Sequence, residues 1–216
     1  MNGIRSTVLL CVVFIAIVLA AFVFNTTRVK TMSFEDLAEQ GSIMLPKPRA
    51  ISEISLQADD GSAFTEANLV SADTAEGVWT FVFFGFTNCP DICPTSMAEM
   101  GKAYNDLTPE ERQSFQGILV SVDPERDDLK SLGEYARAFS PSFIGVTGSI
   151  PKLATFATQV NAAFAKVPGG PGEPYQMDHT GNLVIVNPRG HYHGFIKMPH
   201  SRAKLVETYR ALRATF

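Results

Sequence analysis

The chain has 216 residues, enough for one domain of roughly 150 to 170 residues plus an appendage and too few for a second full domain. Eighteen Lys and Arg against 22 Asp and Glu give a net charge of −4 with no dense basic block, which argues against nucleic acid as the main partner. A content of 45% hydrophobic and 19% charged residues excludes a wholly disordered chain, and three cysteines are too few for a disulfide scaffold, so their role is local chemistry.

The first element is an uncharged stretch from Ser6 to Thr27 with an apolar heart, Val8 to Phe24. As a helix that heart is about 26 Å long, close to the roughly 30 Å of a hydrocarbon core. Residues 1–27 therefore read as a membrane anchor that enters the bilayer through 8–24. A cleaved signal is the alternative: Val18-Leu19-Ala20 offers a small-residue cleavage site, although the apolar run exceeds the usual signal core of about 7 to 15 residues. Arg5 on one flank and Arg28 and Lys30 on the other leave orientation undecided. Cys11, inside the run, reads as a buried apolar thiol.

Residues 28–48 read as a tether. Ser33-Phe34-Glu35-Asp36 resembles a capped helix start and Gly41 a stop, predicting a short helix over Asp36 to Gln40, and Leu45-Pro46-Lys47-Pro48 forces an extended chain. Residues 49–216 form the domain. Val78 to Phe86 is nearly all apolar and rich in β-branched and aromatic residues, the pattern of a strand buried on both faces. Further strands are expected at Gly117 to Val122, Phe143 to Val146 and Leu183 to Val186, and helices at Thr95 to Leu107, Asp128 to Phe139, Ile150 to Phe164 and Arg202 to Ala214. Asn187-Pro188-Arg189-Gly190 fits a type I turn joining Leu183–Val186 to an antiparallel strand, Tyr192 to Lys197. A β-α-β-α unit followed by a hairpin and a closing helix makes this an α/β chain with a thioredoxin-like sheet flanked by helices, preceded by a membrane helix.

The chemistry concentrates at Cys89-Pro90-Asp91-Ile92-Cys93-Pro94, between the most buried strand and a helix. Two cysteines four apart on a helix have Cα atoms about 6 Å apart, which suits either a disulfide or a shared metal ion. A helix N-terminus favours the thiolate, the form both outcomes require. A structural role for two buried cysteines is the plain alternative.

Two thiolates alone leave a metal under-coordinated. Of the four histidines, His179 stands just before Leu183–Val186, where the chain passes beside the cysteine loop. His191 and His193 share a strand face that reads as solvated, and His200 reads as a loop residue or a partner of the last helix's N-terminus. Thiolates with imidazole suit copper or zinc. Three protein ligands leave an accessible ion, whereas a structural zinc site closes with four. With copper(I) the two thiolates give a site charge of −1, with copper(II) zero. Asp123, at a strand end beside the cysteine loop, reads either as a group that orients a ligand or as a simple turn residue. Asp91 reads as solvated, and Gly169-Gly170-Pro171-Gly172 as a flap near the metal.

Phe84-Gly85-Phe86-Thr87-Asn88-Cys89-Pro90-Asp91-Ile92-Cys93-Pro94, then Val122-Asp123-Pro124-Glu125-Arg126-Asp127, then Asp178-His179 before a strand, closely resemble the Sco (SenC) family of copper proteins for cytochrome c oxidase assembly. The match spans about Phe81 to Phe195 in order and spacing. Two departures stand out: Asn88, where the family often has an aromatic residue or histidine, and Asn187, where an aspartate is common. Neither removes a ligand.

The resemblance implies a thioredoxin-like domain outside the cytoplasm that binds copper(I) or copper(II) through Cys89, Cys93 and His179. It also implies delivery of that copper to the binuclear centre of cytochrome c oxidase subunit II, or reduction of the cysteines there. An upstream copper donor and a thiol reductant for the Cys89–Cys93 pair are the further partners expected. A single-pass anchor in a bacterial inner membrane with the domain in the periplasm is expected, because the redox-active pair belongs in an oxidising compartment and no arginine-rich presequence is present.

The rival is a thiol-disulfide oxidoreductase or peroxiredoxin-like redox protein. Phe86-Thr87-Asn88-Cys89-Pro90 differs from the peroxidase motif by one residue between Thr and Cys, and a thioredoxin-like reductase would have two residues between its cysteines instead of three. A chaperone with possible thiol-disulfide activity is thus preferred to a dedicated enzyme.

Overall fold

The computed structural model describes residues 2–27, 32–71, 77–170, 172 and 174–216. It divides into two units, 1–31 and 32–216. The first is helix α1, Asn2–Thr27. The side chains described in it, Thr7 and 9–20, are exposed, Cys11 among them, so that thiol is not buried in protein. They cover less than the about 20 residues a span takes. Among the described residues no helix is long and apolar enough to cross a membrane. The expected crossing over 8–24 includes Val8 and 21–24, whose side chains lie outside the described ones, as do Arg28 and Lys30.

The second unit opens with α2 (Phe34–Glu39) and β1 (Ser42–Ala50). Then come β2 (Leu56–Ala58), β3 (Ala63–Phe64), a 3-10 turn (Glu66–Leu69), β4 (Trp79–Gly85) and α3 (Ile92–Asp106). They are followed by α4 (Pro109–Gln113), β5 (Phe115–Ser121), α5 (Leu129–Phe139), β6 (Ile144–Thr147) and α6 (Ile150–Gln159). The chain closes with β7 (Phe164–Val167), β8 (Gln176–His179), β9 (Leu183–Val186), β10 (His191–Ile196) and α7 (Arg202–Thr215). Eight strands form one sheet in the order β1-β10-β9-β4-β5-β6-β2-β3, and β7 and β8 pair in a separate hairpin.

β4 lies at the centre because its sequence allows it nowhere else. All seven of its residues are buried, so both faces need cover, and it takes β5 as a parallel neighbour and β9 as an antiparallel one. Phe81 stacks on Phe115 with centroids 4.6 Å apart, and Phe84 meets Phe156 of α6 at 5.5 Å. Parallel β4 and β5 place the starts of α3 and α5 at the same sheet end, and that end carries the site. The type I turn forms as expected: Gly190 N donates to Asn187 O at 2.9 Å, Asn187 Oδ1 accepts from Arg189 N and His191 N, and β9 and β10 pair antiparallel.

Three sequence expectations are corrected. Residues 42–48 of the expected tether form a sheet edge instead. β1 pairs with β10 from Ser42↔Ile196 to Ala50↔His191, with an irregularity between Met44 and Arg49 that contains Pro46 and Pro48. Proline has no N–H to donate, and an edge strand tolerates that. The short helix begins at Phe34, not Asp36, because Ser33 is its cap: Ser33 Oγ accepts from Asp36 N at 3.1 Å and the Asp36 carboxylate accepts from Ser33 N at 3.2 Å. The helix expected to run to Phe164 stops at Gln159, where Asn161 turns the chain at φ 55° and sends Phe164 into β7.

These contacts predict that a chain beginning at Met32 melts several degrees above one beginning at Lys47. Leu37 is fully buried and Ser42 shares a buried 2.8 Å hydrogen bond with Thr208. Losing the leucine alone costs about 2 kcal/mol. Equal melting temperatures by circular dichroism would show that α2 and the start of β1 add nothing.

Candidate metal centre

β4 delivers the chain at Gly85, and the loop turns where Cys89 N donates to Phe86 O at 3.3 Å. α3 then begins at Ile92, with Asp91 exposed at its N-cap position and Cys93 in its first turn. The Cys93 sulfur lies against β4: a Cβ on Gly85 would stand 3.0 Å from it. Glycine here makes the room the sulfur occupies. Cys93 is fully buried and Cys89 half-buried, both as free thiols. Burial pushes the Cys93 thiol well up, and the hydrogen bond with Cys89 adds to it. That outweighs the pull of the helix N-terminus toward thiolate, so without metal Cys93 carries its proton.

His179 ends β8 and brings Nε2 to 3.4 Å from the Cys93 sulfur. Its Nδ1 lies 3.3 Å from Thr180 O, a partner that can only accept, so Nδ1 holds the proton and the Nε2 lone pair faces the sulfurs. Burial lowers the imidazole pKa and keeps the ring neutral, and Phe83 and Phe86 hold it edge-on at 5.8 Å each. The Cys89, Cys93 and His179 donor atoms lie within 4.8 Å of one another. Donors about 2.0 to 2.3 Å from one ion stand about 4 Å apart in a trigonal arrangement, so this triad fits a single soft ion with little movement.

Asp123 and Asp127 brace the two loops that carry these donors. Asp127 is buried: it accepts from Thr87 N at 3.0 Å, from Ser121 Oγ at 2.6 Å and from Thr87 Oγ1. Thr87 is two residues before Cys89, so this carboxylate pins the cysteine loop to the end of β5. Asp123 touches no donor directly. Its carboxylate accepts from Tyr175 Oη at 2.7 Å and from Arg126 Nε. Arg126 Nη1 donates to Tyr175 O at 3.2 Å, and its guanidinium lies 4.0 Å from the centre of the Tyr175 ring, which Lys166 covers at 3.9 Å. This clasp holds the chain entering β8, and through it His179. Arg126 and Asp127 belong to the quoted Val122–Asp127 motif, but only the tertiary contacts distinguish their tasks from that of Asp123.

The other histidines lie elsewhere. His193 is not on a solvated face: its ring packs edge-on against buried Trp79 at 5.0 Å, and Nδ1 meets Asn187 Nδ2 at 3.2 Å. His191, two positions earlier on the same face of β10, is half-buried. His200 ties the last loop to α3 through Ser96 Oγ at 3.0 Å and to Ile196 O at 3.2 Å, while Ser201 caps α7. Of the expected glycine flap, Pro171 lies outside the described residues, as does the following Glu173; β7 and β8 frame it. Ala163 to Ala165 and Asp178 to Thr180 line an open pocket that gives solvent a route to His179.

A parallel β4-α3-β5-α5 unit with an antiparallel β9–β10 hairpin and closing α7 is a thioredoxin-like domain, here with two thiols and a neutral imidazole converging at the sheet's functional end. The chain belongs to the SCO1/SenC family, whose sequence model matches residues 55–214. It is 34% identical over 163 residues to a "Putative copper-binding protein" of Stutzerimonas stutzeri, covering 76% of each chain. It is 30% identical over 141 residues to "Protein SCO2 homolog, mitochondrial" of Mus musculus, covering 65% of this chain and 55% of that one, so it spans about half the length of that relative. Among solved structures, yeast Sco1 with copper bound superposes with a TM-score of 0.68 at 27% identity, covering 78% of this chain and 91% of the other.

Proposed function

We propose that this protein carries copper, held by the thiolates of Cys89 and Cys93 and by Nε2 of His179, and delivers it to the binuclear copper centre of cytochrome c oxidase subunit II or prepares the cysteines there. The convergence of these three side chains, from the loop and helix start after β4 and from a separate hairpin, is the observation that carries the reading. The donor chemistry suits the cargo. Two soft sulfurs and a neutral nitrogen select copper over hard cations, and a three-ligand site beside an open pocket leaves the ion reachable by a receiving protein.

Loading is coupled to protons and electrons. Each thiol must release its proton as copper binds, and oxidation of the pair to a disulfide removes the thiolates that copper(I) needs. An upstream copper donor and a thiol reductant are therefore the partners expected besides the oxidase. The anchor reading of 8–24, with the domain on the periplasmic side of a bacterial inner membrane, belongs to this proposal; a reporter fused after Phe216 that is active only in the cytoplasm would overturn it.

Metal content tests the ligand set. The detergent-solubilised, reduced full chain is expected to bind one copper ion, with most of it lost in Cys89→Ala, in Cys93→Ala and in His179→Ala. His191→Ala and His193→Ala are expected to load normally, since neither belongs to the triad. Full loading of His179→Ala, by metal analysis and thiolate-to-copper absorption, would sink the assignment.

A further inference from the structure

His200 supplies no ligand, yet it is joined to both halves of the metal centre. Its half-buried ring stands in the loop between β10 and α7. Nε2 lies 3.2 Å from Ile196 O, a partner that can only accept, so Nε2 holds the proton and Nδ1 accepts from Ser96 Oγ at 3.0 Å. Burial lowers the imidazole pKa and keeps the ring in this neutral form. Ser96 is buried on α3, one turn after Cys93, so the bond ties the loop to the part of the helix that carries the sulfur.

The same ring reaches the other half through Phe83. His200 meets the Phe83 ring edge-on at 6.2 Å, and Phe83 in turn meets the His179 ring edge-on at 5.8 Å. Phe83 is fully buried, and a Cβ on Gly85 would stand 3.0 Å from one of its ring carbons and 3.0 Å from the Cys93 sulfur. Met198, two residues before His200, adds a second link to the histidine segment. It lies on Gly181, two residues after His179, where a Cβ would stand 2.4 Å from Met198 Cε and 2.6 Å from its sulfur. Met198 and Pro199 also line a groove with Asp91 and Ile92, which lie between the two cysteines.

We propose that His200 is a positioning residue of the metal centre: it locks the 198–200 loop as a clamp that joins the cysteine-bearing turn of α3 to the segment carrying His179. Those donors belong to separate elements, α3 and the β7–β8 hairpin. A triad held together before the ion arrives does not have to order them on binding, and that preorganisation raises affinity. In the sequence His200 reads only as a loop residue beside the cap of α7, because Ser96 and Phe83 lie more than a hundred positions away.

The inference rests on the copper reading above, and substitutions at His200 in the detergent-solubilised full chain test it with all three ligands in place. His200→Ala is expected to lower copper(I) affinity about ten-fold, by competition with a chromophoric chelator, and to shift the thiolate-to-copper(II) absorption. In the reduced, metal-free protein the His179 ring proton resonances, which sense Phe83, are expected to move. His200→Gln offers a side-chain carbonyl to Ser96 Oγ and an amide N–H to Ile196 O, and should recover most of the affinity. His193→Ala unpacks buried Trp79 and controls for lost stability alone: its melting temperature should fall while affinity, absorption and the His179 resonances stay parental. A His200→Ala chain that differs from the parent only in melting temperature, as His193→Ala does, would overturn this inference alone. A parent chain that binds no copper would overturn the copper reading and this inference with it.

Discussion

His179→Ala is expected to exchange disulfides with a model dithiol at close to the parental rate and yet fail to support assembly of an active copper-containing oxidase in cells at limiting copper. The two outcomes separate because they draw on different atoms. Exchange proceeds by attack of one sulfur on another, and the variant keeps both. Copper retention needs the third donor, whose Nε2 stands 3.4 Å from the Cys93 sulfur with its lone pair directed there. Removing a group behind a ligand already weakens metal binding roughly 10- to 100-fold, so removing the ligand itself should cost more. Oxidase assembly at the parental level in His179→Ala would make thiol-disulfide reduction the working activity and copper carriage incidental.

Asp127→Ala is expected to destabilise the metal-free domain by about 3 to 5 kcal/mol. The carboxylate is 3% exposed and accepts from three donors, two of them on Thr87. Alanine strands the Thr87 N–H, the Thr87 hydroxyl and the Ser121 hydroxyl, and each stranded buried group costs about 1 to 3 kcal/mol, reduced where the loop relaxes enough to admit water. Because Thr87 is two residues from Cys89, copper binding should weaken in the same variant. Asp127→Asn keeps the volume and one accepting oxygen and should fall between alanine and parent. Urea denaturation of the reduced protein reads the effect; a loss below about 1 kcal/mol for alanine would show that the loop holds its shape without this carboxylate.

How much was legible in advance depended on whether a feature was local. Runs that dictate their own burial were plain: β4 has no polar residue except Thr80, and the Asn187–Gly190 turn follows from one proline and one glycine at defined positions. Cys89 and Cys93 were candidates on spacing alone, and His179 because it precedes a strand expected near them. By contrast, β1 was hidden by its prolines, which look like tether and are tolerated only because β1 is an edge that β10 supplies with partners from far along the chain. The β7–β8 hairpin was hidden too: its strands are four residues each, too short to show a period, and they exist by pairing with each other.

The sequence by itself determined the order of elements around the central strand, the pair of sulfurs at a helix start and the family to which the chain belongs, because each is written in neighbouring residues. Only the tertiary structure decided which imidazole nitrogen faces those sulfurs, that His193 packs on Trp79, and that Asp127 holds the cysteine loop while Asp123 holds the histidine segment. All of these depend on groups 40 to 114 positions apart meeting in one low-dielectric interior, where a hydrogen bond made or missed has its full weight and sequence separation has none.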